Sequence, residues 1–107
     1  MTRHFSSLLI FVAIFGGASS GAAAKDVDMG KGRQMFLQGT QPNCALCHTL
    51  KDAQAAGAIG PDLDELKPDA DRVAKAIRQG IGVMPAFTSL SDAEVKLLSE
   101  YVAAATR

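Results

Sequence analysis

Residues 44–48 read Cys44-Ala45-Leu46-Cys47-His48. Two thiols separated by two residues, with an imidazole directly after the second, form the C-x-x-C-H spacing of covalent haem attachment. The chemistry needs this order. The thiols add to the two vinyl groups of a haem, and the next residue brings its imidazole to the iron from the same side. Three other uses of these residues fail on the sequence. A thioredoxin-like pair expects a βαβ setting, and the chain has no alternating β-branched run to supply strands. Structural zinc takes four protein ligands. The chain holds 2 Cys and 2 His, and the second histidine, His4, lies in a segment expected to be removed. A Cys44–Cys47 disulfide would close too short a loop to stabilise much. One haem c, bound through Cys44 and Cys47 with His48 on its iron, is therefore the expected cofactor.

The N-terminal side agrees with this reading. Arg3 and His4 precede an apolar run over residues 8–15, then Gly16, Gly17 and a small-residue stretch ending Ala22-Ala23-Ala24. This is the pattern of a secretory signal peptide, and the apolar run is shorter than the roughly 20 residues of a spanning helix. Residues 1–24 are expected to be cleaved, leaving 25–107 as one domain with no membrane span. Haem is attached to such proteins outside the bacterial cytoplasm, so the expected location is the periplasm. Lys+Arg and Asp+Glu balance at 11 each, which gives no signature of nucleic-acid binding. With no Trp and 1 Tyr, the large rings left to the domain are Phe36, Phe87 and Tyr101. That is little for a core unless an apolar cofactor supplies surface.

Around the motif the pattern is helical, and the predicted class is all-α, with three or four short helices joined by irregular loops. Asp28 caps a first helix that Gly39 ends. Gly30 and Gly32 inside it each cost about 1 kcal/mol relative to Ala, so a second backbone is expected to approach there. Residues 39–43, with Pro42, form a turn. Residues 53–60, rich in Ala and Gly, show no period and read as a loop; Gly60-Pro61-Asp62-Leu63 reads as a turn. A further helix is predicted from Pro68, in its first turn, to Gln79, with Gly80 as cap. Val73 and Ile77 face inward. Arg72, Lys75 and Arg78 read as a solvated face, with a haem propionate as the alternative use of one of them. The last helix opens on a Ser91/Glu94 capping box with a Leu90/Val95 staple. It continues through Val95, Leu98, Tyr101, Val102 and Ala105 at helical spacing.

His48 is the only histidine after the leader, which leaves methionine as the second iron ligand. Met35 sits at core spacing, and Met29 lies beside the helix start. Met84 stands in a Gly- and Pro-rich loop with Pro85 after it, a loop able to wrap the far face of a haem. Met84 is the expected ligand, and His/Met ligation raises the iron's potential.

With these residues in place, residues 28–104 resemble a class I c-type cytochrome of the small bacterial, periplasmic type. Gly32 and Phe36 match the family's first-helix pair, which crosses Leu98 and Tyr101 of the last helix. Gly60-Pro61-Asp62-Leu63 matches its G-P-x-L segment. The resemblance implies the cytochrome c fold. It also implies a Pro61 carbonyl accepting the proton on the second nitrogen of His48, and Leu63 packed on the haem. Residues 63–87 further resemble the small cytochrome subunits or partners of bacterial sulfite dehydrogenases. The implied function is one-electron transfer without catalysis, from a periplasmic dehydrogenase to an oxidase or another cytochrome. Docking is expected near residues 44–47 and 84–87, where Ala45, Leu46, Ala86 and Phe87 make a small uncharged surface. A tightly bound dehydrogenase subunit and an open-site haem sensor are the alternatives.

Overall fold

Asp28 starts the first helix as its carboxylate accepts the Lys31 N–H at 3.0 Å. Helix α1 runs over Met29–Gln38 and ends where the Gly39 N–H closes onto the Met35 carbonyl at 2.8 Å. The computed structural model describes residues 10–14, 16–17 and 26–107. The expected leader lies mostly outside these, its cleavage point after Ala24 included. No helix of the described residues is long and apolar enough to cross a membrane.

The haem-attachment motif is itself a single helical turn, α2 (Cys44–Cys47). Residues 49–56 form a small antiparallel hairpin, β1 (Thr49–Leu50) with β2 (Ala55–Ala56), joined through a 3₁₀ turn at Lys51–Ala53, so the stretch 53–60 read as a loop contains its second strand. Two-residue strands are too short to show alternation, which is why the pattern hid them. The Thr49 hydroxyl closes the hairpin by donating to the Gly57 carbonyl at 2.9 Å. After the Gly60-Pro61 turn comes a second single turn, α3 (Leu63–Leu66), whose cap Asp62 accepts the Asp64 and Glu65 amides.

Helix α4 (Ala70–Gln79) starts later than its predicted first residue, Pro68. Asp69 is the cap, accepting the Arg72 N–H at 2.7 Å, and Pro68 lies buried ahead of it. A carboxylate able to satisfy a free helix-end donor sets the boundary better than a proline, which only leaves that donor out. Helix α5 (Asp92–Ala105) opens on the expected reciprocal box, Glu94 N–H to Ser91 Oγ at 3.1 Å and Ser91 N–H to Glu94 Oε1 at 3.0 Å. The described residues thus form five helices where three or four were expected, two of them single turns, and the all-α class expected from the sequence holds apart from the two-stranded hairpin.

The core forms where α1 crosses α5, with α4 packed along α5. Phe36 and Tyr101 meet edge to face, ring centroids 6.2 Å apart, over buried Leu50, Ile77, Val95, Leu98 and Val102. Gly32 is the crossing point. A Cβ there would meet the Tyr101 Cβ and lie 2.5 Å from its Cγ.

One polar cluster ties the hairpin to this crossing. The fully buried Tyr101 donates its hydroxyl to Asp52 Oδ2 at 2.6 Å, and Arg33 Nη2 donates to the same oxygen at 2.9 Å. Arg33 Nε also donates to the Asp52 carbonyl at 2.9 Å. The Tyr101 bond, and then Arg33, hold the Asp52 carboxyl below its ordinary range. Burial, and then Asp52, push the Tyr101 hydroxyl well above its own. The signs define a window. The Asp52 contribution is present above the unfolded carboxyl pKa and is lost as pH falls through the lower folded value. The Tyr101 contribution is present below the unfolded phenol pKa and is lost as pH rises through the higher folded one. The cluster therefore stabilises fully between about pH 4 and about pH 10. Tyr101→Phe is expected to cost about 1–2 kcal/mol in denaturant unfolding at neutral pH and clearly less near pH 2. Equal losses at both pH values would contradict the ionised Asp52 partner.

Candidate haem site

The chain enters the motif through a turn in which the buried Thr40 hydroxyl donates to the Pro42 carbonyl at 2.8 Å and lies 3.9 Å from Cys44 Sγ. The Asn43 side chain then caps α2, accepting the Leu46 N–H at 2.8 Å. A single turn puts residues three apart on one face, so Cys44 and Cys47 emerge together. Both are free thiols of intermediate exposure, and burial pushes the Cys44 thiol up.

His48 leaves the turn in extended conformation (φ −116°, ψ 138°). Its Nδ1 lies 2.8 Å from the Pro61 carbonyl. A carbonyl can only accept, so Nδ1 carries the proton and Nε2 presents its lone pair. The ring is also boxed in by Gly60, where a Cβ would stand 2.6 Å from His48 Cε1 and 2.9 Å from Nδ1. The Gly60 amide is fixed in turn by the Cys47 carbonyl at 2.7 Å. The imidazole is oriented by one hydrogen bond and by the absence of one side chain.

Cys44, Cys47, His48, Pro61, Leu63 and Met84 all line one cavity of about 660 Å³. Met84 reaches it from a tight turn in which Ile81 and Met84 exchange backbone hydrogen bonds at 3.0 and 2.9 Å; the Phe87 amide pins the loop to α4 at the Ile77 carbonyl, 2.8 Å. Met29 and Met35 do not line the cavity but pack against the core as partly buried side chains. Sequence reasoning missed Ile59, Leu66, Pro68, Ile81 and Val83 as lining residues. An isolated large apolar residue among glycines, as at Ile59 and Val83, is the signal that could have marked them. The Arg33–Asp52–Tyr101 cluster was missed as well, since three residues far apart in sequence give no local pattern.

The cavity suits a haem on its own terms. Its size lies in the usual ligand range, its walls are mostly apolar, and its donors are two thiols, an imidazole with a free nitrogen and a thioether. Among the described residues no group of three or more His, Cys, Asp or Glu side chains comes together to hold a metal ion directly.

Comparison with known proteins defines the class. The family model described as cytochrome c oxidase, cbb3-type, subunit III matches residues 28–102. Cytochrome c-551 of Halorhodospira halochloris is 36% identical over 73 residues, 66% of this chain and 92% of that protein. The crystal structure of the c-type cytochrome SorU from Sinorhizobium meliloti superposes with a TM-score of 0.71 at 51% identity, covering 73% of this chain and 90% of that one. The chain belongs to the c-type cytochrome family, has the cytochrome c fold and carries the covalent haem c of that family, with Cys44 and Cys47 as the attachment thiols. It is an electron carrier.

Proposed function

We propose that the protein is a periplasmic one-electron shuttle with His48 and Met84 as axial iron ligands, produced with residues 1–24 as a cleaved export signal and 25–107 as the working domain. The observation that carries the ligand assignment is the shared cavity, lined by both His48 and Met84 but by neither other methionine of the domain. When bound, the haem holds one electron by passing between its ferrous and ferric forms. The chain supplies the rest. Cys44 and Cys47 fix the group in place, and the Pro61 carbonyl holds the proton on His48 Nδ1 so that Nε2 keeps one orientation in both states. Leu63, Val73, Ile77 and Leu98 exclude water, which favours the less charged ferrous form. A site closed by protein ligands suits electron transfer rather than substrate chemistry.

The exchange surface surrounds Leu46, 57% exposed, together with Ala86 and the half-buried Phe87. None of these carries charge, and redox encounters of this kind are small and brief. The donor is proposed to be a periplasmic dehydrogenase, a sulfite dehydrogenase by the sequence resemblance, and the acceptor an oxidase or another cytochrome. Reduction of the holoprotein by a purified sulfite dehydrogenase, followed by stopped flow, tests this. The rate constant is expected to change less than about threefold when salt rises from 50 to 200 mM, as for an uncharged contact outside long-range steering. A tenfold fall would overturn the uncharged docking surface, and no reduction would overturn the donor.

The family description, that of an oxidase subunit, supports a second reading in which the chain is a tightly held electron-accepting subunit of an enzyme complex. Affinity purification at native expression distinguishes the two. A shuttle emerges alone, and a subunit brings its enzyme in equal amount.

A further inference from the structure

Helix α4 carries three basic residues, and the fold sorts them. Arg78 points away from the cavity and pairs with Asp92 at 2.7 Å. Arg72 and Lys75 line the cavity and have no carboxylate partner among the described residues. Apart from His48 and the two thiols, they are the only ionisable lining residues among the described residues. The acids nearest in sequence, Asp69 and Asp71, do not line it, and Asp69 is engaged as the helix cap.

A cavity whose fixed charges are two cations, with no acid on its walls, is built for a ligand bearing two negative charges. A haem has that charge on its two propionates. Building on the cytochrome reading above, we infer that Arg72 and Lys75 are the propionate partners. Both residues are exposed, so their stems run along the apolar wall while their heads stay at the water edge, where pairing avoids the penalty of a buried ion pair. Spaced three apart on one helix face, they present a fork of guanidinium donors and a point charge side by side. With Cys44 and Cys47 holding one part of the haem through α2, the pair on α4 would hold the carboxylates and fix its orientation across the cavity.

The assignment is tested on the full chain matured with haem, comparing wild type with Arg72→Gln/Lys75→Gln, the charge-keeping swap Arg72→Lys/Lys75→Arg, and Arg78→Gln. Proton spectra of the ferric protein report the propionate methylene groups, and a redox titration at low salt reports the potential. In the double glutamine variant the methylene signals should move. Its potential should also fall further than that of Arg78→Gln, because two cations opposing the ferric charge are lost beside the haem. The swap should keep its potential near the wild-type value. Unmoved methylene signals in the glutamine variant, or a potential no lower than that of Arg78→Gln, would overturn the assignment while leaving the cytochrome reading intact. A wild-type protein without covalent haem would overturn both, and is seen before any variant is made.

Discussion

Gly32→Ala is expected to lower the melting temperature of the holoprotein by roughly 12–24 °C. The added methyl would lie 2.5 Å from Tyr101 Cγ and 2.9 Å from Cδ2. Tyr101 is fully buried and held at its far end by Asp52, so its ring cannot swing aside, and α1 must move off α5. Overpacking of this kind costs about 3 kcal/mol at the upper end of its usual range, and each kcal/mol shifts a domain of this size by about 4–8 °C. The same substitution two residues away provides the contrast. A Cβ at Gly30 meets only Asp28 Oδ1, at 3.6 Å. Gly30→Ala should therefore raise stability by about 0.5–1 kcal/mol through helix propensity alone. Thermal unfolding followed by circular dichroism compares the pair. Similar behaviour of the two variants would contradict the close crossing of α1 and α5 at Gly32.

Met84→Ala is expected to leave the fold standing and to change the iron site entirely. Met84 lies in a turn closed by backbone hydrogen bonds with Ile81, and those survive loss of the side chain. With the thioether gone, the ferrous protein should become high-spin, bind carbon monoxide, and show a substantially lower potential because the sulfur ligand that raises it is absent. Met35→Ala, a change in an α1 side chain packed against the core, should alter stability and leave the spectrum unmoved. A Met84→Ala protein with the wild-type spectrum would assign the second ligand elsewhere.

What could be read in the sequence was whatever local chemistry dictates. The helix ends at Asp28, Gly39, Ser91 and Gly80 follow from donors and acceptors a few residues apart, and all four stand at helix ends. The attachment motif is contiguous, so its chemistry needed no fold to be seen. The helical pattern marked Gly30 and Gly32 alike as points of close approach; only the family resemblance singled out Gly32, and the crossing partner Tyr101 is what separates the two in the fold. Pro68 misled because a proline suits a first turn, whereas the Asp69 carboxylate sets the boundary. The hairpin after His48 escaped notice because two-residue strands are too short to show alternation. The two cavity-facing bases of α4 could not be told from Arg78 in sequence, since all three are equally polar and only the orientation of the helix separates them.

An iron held by His48 and Met84 within a covalent haem is the centre of the proposed shuttle. The most direct measurement is the absorption spectrum of the matured protein, oxidised and reduced, with and without carbon monoxide. The predicted result is a low-spin c-type spectrum with a weak sulfur-to-iron charge-transfer band, unchanged by carbon monoxide. A high-spin ferrous form that takes up carbon monoxide would contradict the closed site, and with it the shuttle, and would make the chain an open-site haem protein.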